Sequence, residues 1–164
     1  MTGRTGAGKS TIFKLLLGLY TPQKGNVLIN GQPADALSEN QRRKIISCVE
    51  QNFSMVPGTI LDQITLFDPD ITLEQAQTAA GLTGLDEVIR SFPEDYNTPC
   101  KPGLFSQGQW QLLSIARAVA TNPRILLLDE ITANLDADTE QTVLSALKPS
   151  RKRTYRAFHQ SPVI

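Results

Sequence analysis

Residues 3–10 read Gly3-Arg4-Thr5-Gly6-Ala7-Gly8-Lys9-Ser10, a glycine-punctuated run closed by a lysine and a hydroxyl, with Thr11 next at the head of an apolar stretch. Glycines let successive backbone N–H groups turn into one concavity. A following helix adds the positive end of its dipole, and together they grip phosphate oxygens. In that setting Lys9 supplies a point charge for the β and γ phosphates, and the Ser10 hydroxyl is a hard ligand for Mg²⁺. A second pair of groups, Asp129 and Glu130, closes the apolar run 125–128. At the carboxyl edge of a sheet, Asp129 can hold the metal through its water shell and Glu130 can polarise an attacking water. Solvated acids at a strand end are common, so this pair takes its weight from the glycine run.

Both groups need elements to hold them. Ile12, Phe13, Leu15, Leu16 and Leu17 recur at helical spacing, which predicts a helix from about Gly8 to Gly18 with its N-terminus on the glycine loop. A short strand over 27–29 runs into the turn signal Asn30-Gly31. Ser38 with Gln41 has capping-box spacing and starts a short basic helix, and 45–49 reads as a buried strand leading to Glu50-Gln51. Thr72 with Gln75 caps a helix through about Leu82. Another short helix covers Leu85 to Phe92, and 94–103, with two prolines and a glycine, is a loop. Ser106 caps a strong helix that stops at Asn122-Pro123. The strand 124–130 follows, and Asp138 with Gln141 caps a last helix to about Leu147. Strands alternating with helices imply an α/β fold with a parallel sheet covered on both faces, interrupted by a helical middle.

The segment Leu104-Phe105-Ser106-Gln107-Gly108-Gln109-Trp110 resembles the signature of ATP-binding cassette (ABC) ATPases, whose core reads L-S-G-G-Q; an Ala116-Arg117-Ala118 stretch follows in the helix. With the glycine run and "LLLDE" in the family's order, the resemblance extends from Gly3 to about Ala137. It implies a P-loop NTPase core with a mainly parallel sheet and an inserted helical subdomain. Residues 1–164 would then form a single partial domain, with its core at 1–52 and 122–164 and the helical part at 53–121. The cofactors implied are ATP and Mg²⁺. Gly3, Arg4, Thr5, Gly6, Ala7, Gly8, Lys9, Ser10 and Thr11 would cradle the nucleotide. Ser106, Gln107, Gly108 and Gln109 would meet the γ-phosphate held by a second, head-to-tail copy. Gln51 looks like the glutamine that reaches metal and attacking water and couples to the transport domains; Ser10, Gln51 and Asp129 would hold the metal. "ITANLD" resembles the D-loop, with Asp136 at the matching aspartate and Ala133 where serine is common. "MVPGTILDQITLF" is similar to an exporter stretch, with Gln63 replacing the usual asparagine, and "FPEDYNTPC" to the exporter segment before the signature. Trp110 stands where arginine or lysine is frequent and reads as a packing residue rather than a base stacker.

Glu130, Gln51 and His159 complete the implied catalytic set. Arg153-Thr154 match the setting of the family's switch histidine, but Tyr155-Arg156-Ala157-Phe158 put a charge where a strand should run apolar. An ordinary exposed histidine is the competing reading. Only Met1 and Thr2 precede Gly3, so the strands and the adenine-stacking aromatic that the family places there are expected to be missing, as in the C-terminal portion of an exporter ATPase domain. Alternatives are a nucleotide-binding module without turnover and a non-transport ABC ATPase. Against the latter, no coiled-coil length separates Gln51 from the signature. A phosphate-loop kinase would lack the signature.

Sixteen basic side chains balance sixteen acidic ones, which gives no electrostatic case for nucleic acid. No apolar run nears the roughly 18 residues of a membrane span. The expected partners are a separate transmembrane domain and a second nucleotide-binding domain, with the chain on the cytoplasmic side of the membrane and not inserted in it. Cys48 and Cys100 lie far apart, outside any metal-like spacing, and read as reduced thiols.

Overall fold

The computed structural model describes residues 9–49 and 53–128, together with 137, 139, 141 and 143. Its first helix, α1, spans Lys9–Leu16 and turns Phe13 and Leu16 inward, with Leu17 packing just beyond its end. Gly18 ends it: at φ +64° it takes the left-handed conformation. The Leu19 N–H then reaches Lys14 C=O (2.8 Å) and the Gly18 N–H reaches Leu15 C=O (3.1 Å), which satisfies carbonyls the last turn would otherwise leave open.

β1 (Leu28–Ile29) and β2 (Gln32–Pro33) pair antiparallel across Asn30 (φ 51°) and Gly31 (φ 82°). Positive φ at both central residues matches the right-handed twist of the strands and returns the chain at once. The strand expected at 27–29 therefore forms a hairpin of its own, because a two-residue turn can only reverse direction. After it, Ser38 caps α2 (Glu39–Arg43): the Gln41 N–H donates to Ser38 Oγ (3.3 Å) and the Ser38 N–H to Gln41 Oε1 (3.0 Å).

The parallel pairing is carried by β3 (Ile46–Val49) and β4 (Ile125–Leu128), in register from Ile46 beside Ile125 to Val49 beside Leu128. Side chains alternate across this pair. Ile46 and Leu127 face a cluster built with Phe13, Ile29, Ala34 and Leu37. Val49, Leu126 and Leu128 face a larger one containing Ile60, Ile64, Leu85, Ile89, Leu113 and Ile115. Helices thus cover both faces, as α/β alternation requires.

Between the strands lie α3 (Ile60–Thr65), α4 (Leu73–Leu82), α5 (Asp86–Arg90) and α6 (Gln107–Ala120). α4 and α6 begin at the predicted caps, Thr72 and Ser106, and α5 falls inside the predicted 85–92. α3 has no counterpart among the elements the sequence predicts: Thr59 and Asp62 form a capping box at its start, and Ile60 and Ile64 bury its inner face. The 94–103 loop contains a 3₁₀ turn, Asp95–Asn97, that buries Tyr96. The Tyr96 hydroxyl donates to Asp86 Oδ1 (2.6 Å), and Arg90 Nε–H donates to Asp86 Oδ2 (2.9 Å). Burial pushes the Asp86 carboxyl up, but the hydrogen bonds from Arg90 and Tyr96 outweigh it and hold the group below its usual range. Burial and the bond to Asp86 raise the Tyr96 phenol.

Residues 137, 139, 141 and 143 are helical, and Val143 is buried in the larger cluster. Asp138, the predicted cap of this stretch, lies outside the described residues. Cys48 and Cys100 are half-buried and form no disulfide with each other. Among the described residues, no helix is long and apolar enough to cross a membrane.

Candidate functional site

The glycine run ends where α1 begins. Lys9 and Ser10 form its first turn, the positive end of a helix anchored through Phe13 on the β3–β4 pair. Thr11 is exposed on the next position. Residues Gly3, Arg4, Thr5, Gly6, Ala7 and Gly8 lie outside the described residues, as do Gln51, Asp129, Glu130, Asp136 and His159. What the structure supplies is the scaffolding next to them. β3 and β4 are parallel and adjacent, and their pairing ends with Val49 beside Leu128. Gln51 follows Val49 by two residues, and Asp129 and Glu130 follow Leu128 directly. The chain segments leading to all three therefore leave from one edge of the sheet, at carboxyl ends of parallel strands, where α/β folds bind ligands.

The second predicted site is described in full. Ser106 is the N-cap of α6: its Oγ accepts the Gln109 N–H (3.2 Å), and the Gln109 side-chain carbonyl accepts the Ser106 N–H (2.9 Å). Gln109, expected to bind nucleotide, thus has its Oε1 engaged in the reciprocal cap. Ser106 and Gln107 are exposed and Gly108 is half-buried, so the positive end of this 14-residue helix opens to solvent. Such an end attracts an anion through its dipole and its amide-rich first turn. Beyond the tip the helix is anchored deeply, with Leu113, Ile115 and Ala116 fully buried.

Trp110 packs, as predicted, rather than standing free. Its ring lies 4.9 Å from that of Phe53 and 5.1 Å, edge to face, from that of Phe105, which in turn meets Phe92 at 5.7 Å. One further contributor has no motif of its own in the sequence. Arg117, on α6, donates from Nε to the Gln63 carbonyl (2.6 Å) and from Nη1 to the Ser54 carbonyl (3.0 Å). Its guanidinium also lies 4.1 Å from the centre of the Phe53 ring. The signal was a lone cation inside the apolar run "LLSIARAVA", which calls for an internal partner. Gln63 is fully buried and binds the Val56 peptide on both sides, Nε2–H to C=O at 2.7 Å and N–H to Oε1 at 2.9 Å. Among the described residues, no cluster of His, Cys, Asp or Glu is placed to hold a metal. The expected ligands Gln51 and Asp129 lie outside them, and Ser10 is described in its backbone alone.

A helix that starts directly after a glycine-rich run in the sequence, two parallel strands whose pairing ends with Val49 beside Leu128, and a serine-capped helix between those strands in the chain are the features of an ATP-binding cassette. The family model described as ABC transporter matches residues 1–133, and the chain belongs to that family. It is 41% identical over 146 residues to the Alpha-hemolysin translocation ATP-binding protein HlyB of Escherichia coli O157:H7, covering 88% of this chain and 21% of that protein. It is 38% identical over 149 residues to YheH of Bacillus subtilis (strain 168), a probable multidrug resistance ABC transporter ATP-binding/permease protein, covering 90% and 22% respectively. Among solved structures, a bacterial Atm1-family ABC exporter with ATP bound superimposes with a TM-score of 0.82 at 33% identity, covering 98% of this chain and 28% of that one. The chain spans about a fifth of the length of these two curated relatives.

Proposed function

We propose that this chain binds and hydrolyses ATP as the nucleotide-binding domain of an ABC exporter. It works head-to-tail with a second such domain and drives transport through a transmembrane domain, on the cytoplasmic side of the membrane. The domain divides into a core at 1–52 and 122–164 and a helical subdomain at 53–121. The observation that carries the reading is the β3–β4 register, which sends the segments toward Gln51, Asp129 and Glu130 out from one sheet edge.

The donors fit the cofactor in type. Ser10, Gln51 and Asp129 offer a hydroxyl, an amide carbonyl and a carboxylate, all hard oxygen ligands of the kind Mg²⁺ takes. When bound, Mg²⁺ neutralises charge on the β and γ phosphate oxygens. The amides of the 3–8 loop and the Lys9 charge orient the triphosphate. Glu130 accepts a proton from water as its oxygen attacks the γ-phosphorus, and the bond to the β–γ bridging oxygen breaks to release ADP and phosphate. Gln51 orients that water, His159 stands at the switch position, and Asp136 lies at the contact with the second copy. The Ser106–Gly108 tip stabilises charge on the γ-phosphate bound by the partner domain.

Glu130→Gln tests the assignment: it is expected to abolish phosphate release while Mg-ATP binding measured by calorimetry persists. Undiminished turnover in that variant removes Glu130 from the role. Binding without phosphate release in the unmodified chain would instead favour a nucleotide-binding module.

A further inference from the structure

Arg117 is the one cation in α6, and its guanidinium reaches Gln63, Ser54 and Phe53, all outside that helix. Two of the residues it touches, Phe53 and Ser54, lie two and three positions after Gln51 in the chain. A guanidinium is a rigid plane: it donates along two edges and stacks through its face at the same time, which a lysine ammonium cannot do. Here the edges hold the Ser54 and Gln63 carbonyls and the face holds the Phe53 ring. Gln63 then grips Val56, so the 53–56 segment is fastened at both ends.

Phe53 also meets Trp110, which likewise belongs to α6. Trp110 and Arg117 are two helical turns apart and so lie on one side of the helix. Phe53 is therefore seated by α6 at two levels, and Trp110 continues the contact to Phe105, the residue before Ser106. Packed aromatic rings and a bidentate fork resist independent movement of their partners.

We infer that Arg117 is a positioning residue: it binds the segment leaving Gln51 to the helix that begins at Ser106, so that the two nucleotide-facing sites move as one body. The inference rests on the proposed function, in which Gln51 faces the nucleotide bound by its own domain and Ser106 the nucleotide of the partner. It assigns to Arg117 no contact with nucleotide or metal.

The single tryptophan of the chain sits inside this joint and reports on it. The test uses the full chain, with Mg-ATP followed by calorimetry and by Trp110 emission, alongside Arg117→Lys and Phe53→Leu. In the unmodified chain the emission is expected to change over the same Mg-ATP range as calorimetric binding. Arg117→Lys should keep Mg-ATP affinity within about twofold, since the 3–10 loop is untouched, and lose more than half of the emission response. Its kcat should fall about tenfold at unchanged KM, as a misplaced but intact water-orienting group would give. Phe53→Leu, which keeps the site apolar, should give the same split and carries the test if the lysine variant does not fold. Binding with an undiminished emission response in either folded variant overturns the inference and leaves the ATP-binding reading standing. An unmodified chain that binds no Mg-ATP ends both.

Discussion

Replacing Gln63 by leucine removes three hydrogen bonds from a fully buried position at little change in volume. Nε2–H donates to Val56 C=O (2.7 Å) and Thr59 C=O (3.2 Å), and Oε1 accepts the Val56 N–H (2.9 Å). Each such bond contributes about 1 kcal/mol net, and a partner left dry and unpaired costs about 1–3 kcal/mol. Two effects reduce the loss. Val56 is half-buried, so water can take up part of its peptide's bonding, and a buried leucine gains apolar contact that an amide lacks. The balance is a destabilisation of roughly 2–3 kcal/mol, a large share of the ~5–15 kcal/mol that holds most domains. For a chain of this size that corresponds to a fall in Tm of about 4–12 °C. Thermal and urea unfolding followed by circular dichroism measures it, and an unchanged urea slope shows that stability, not denatured-state compactness, has moved. Asparagine keeps the amide one methylene closer to the helix and is expected to lose less than leucine. A leucine variant melting within about 1 °C of the unmodified chain would refute the reasoning, because the Val56 bonds would then contribute nothing net.

Tyr96→Phe deletes the phenol donor to Asp86 and should cost about 1–2 kcal/mol at pH 7 in urea titrations. Asp86 titrates below its unfolded value, so its contribution is complete above about pH 4 and is lost as pH falls through the lower native value; the gap between variant and parent should narrow there, and a constant gap down to about pH 3 would contradict this. Gly18→Ala forces a methyl group into a left-handed site 2.7 Å from Ala34 O and should lower stability by about 1–3 kcal/mol, seen as an earlier thermal midpoint. Ser106→Ala should cost about 1 kcal/mol and Ser106→Gly a few tenths, since glycine tolerates the N-cap conformation; equal losses in chemical denaturation would show that the cap does not account for the serine's contribution.

The readable parts of this fold are those with local causes. Thr72 with Gln75 and Ser106 with Gln109 each carry both halves of a reciprocal cap within four residues, and both helices start where the spacing says. Asn30-Gly31 likewise contains its own turn geometry. α3 has the same kind of signal, Thr59 with Asp62, but the preceding Pro57-Gly58 reads as loop, and six residues are too few to show periodicity. The signature tip was legible as a serine cap with an open first turn. Arg117 was not, since its partners Gln63 and Ser54 come from distant parts of the chain and nothing in the local pattern names them.

That distance has a bearing on how the molecule assembles. β3 must wait for β4, while Ser54 and α3, through Gln63, must wait for α6, whose guanidinium lies 63 and 54 positions further along the chain. On a ribosome, where residues emerge in order, β3 and its exit stay unpartnered until α6 and then β4 have been synthesised. The segment after β3 is thereby left unfastened until α6 is made, and β3 itself until β4, the last of the described strands, is in place.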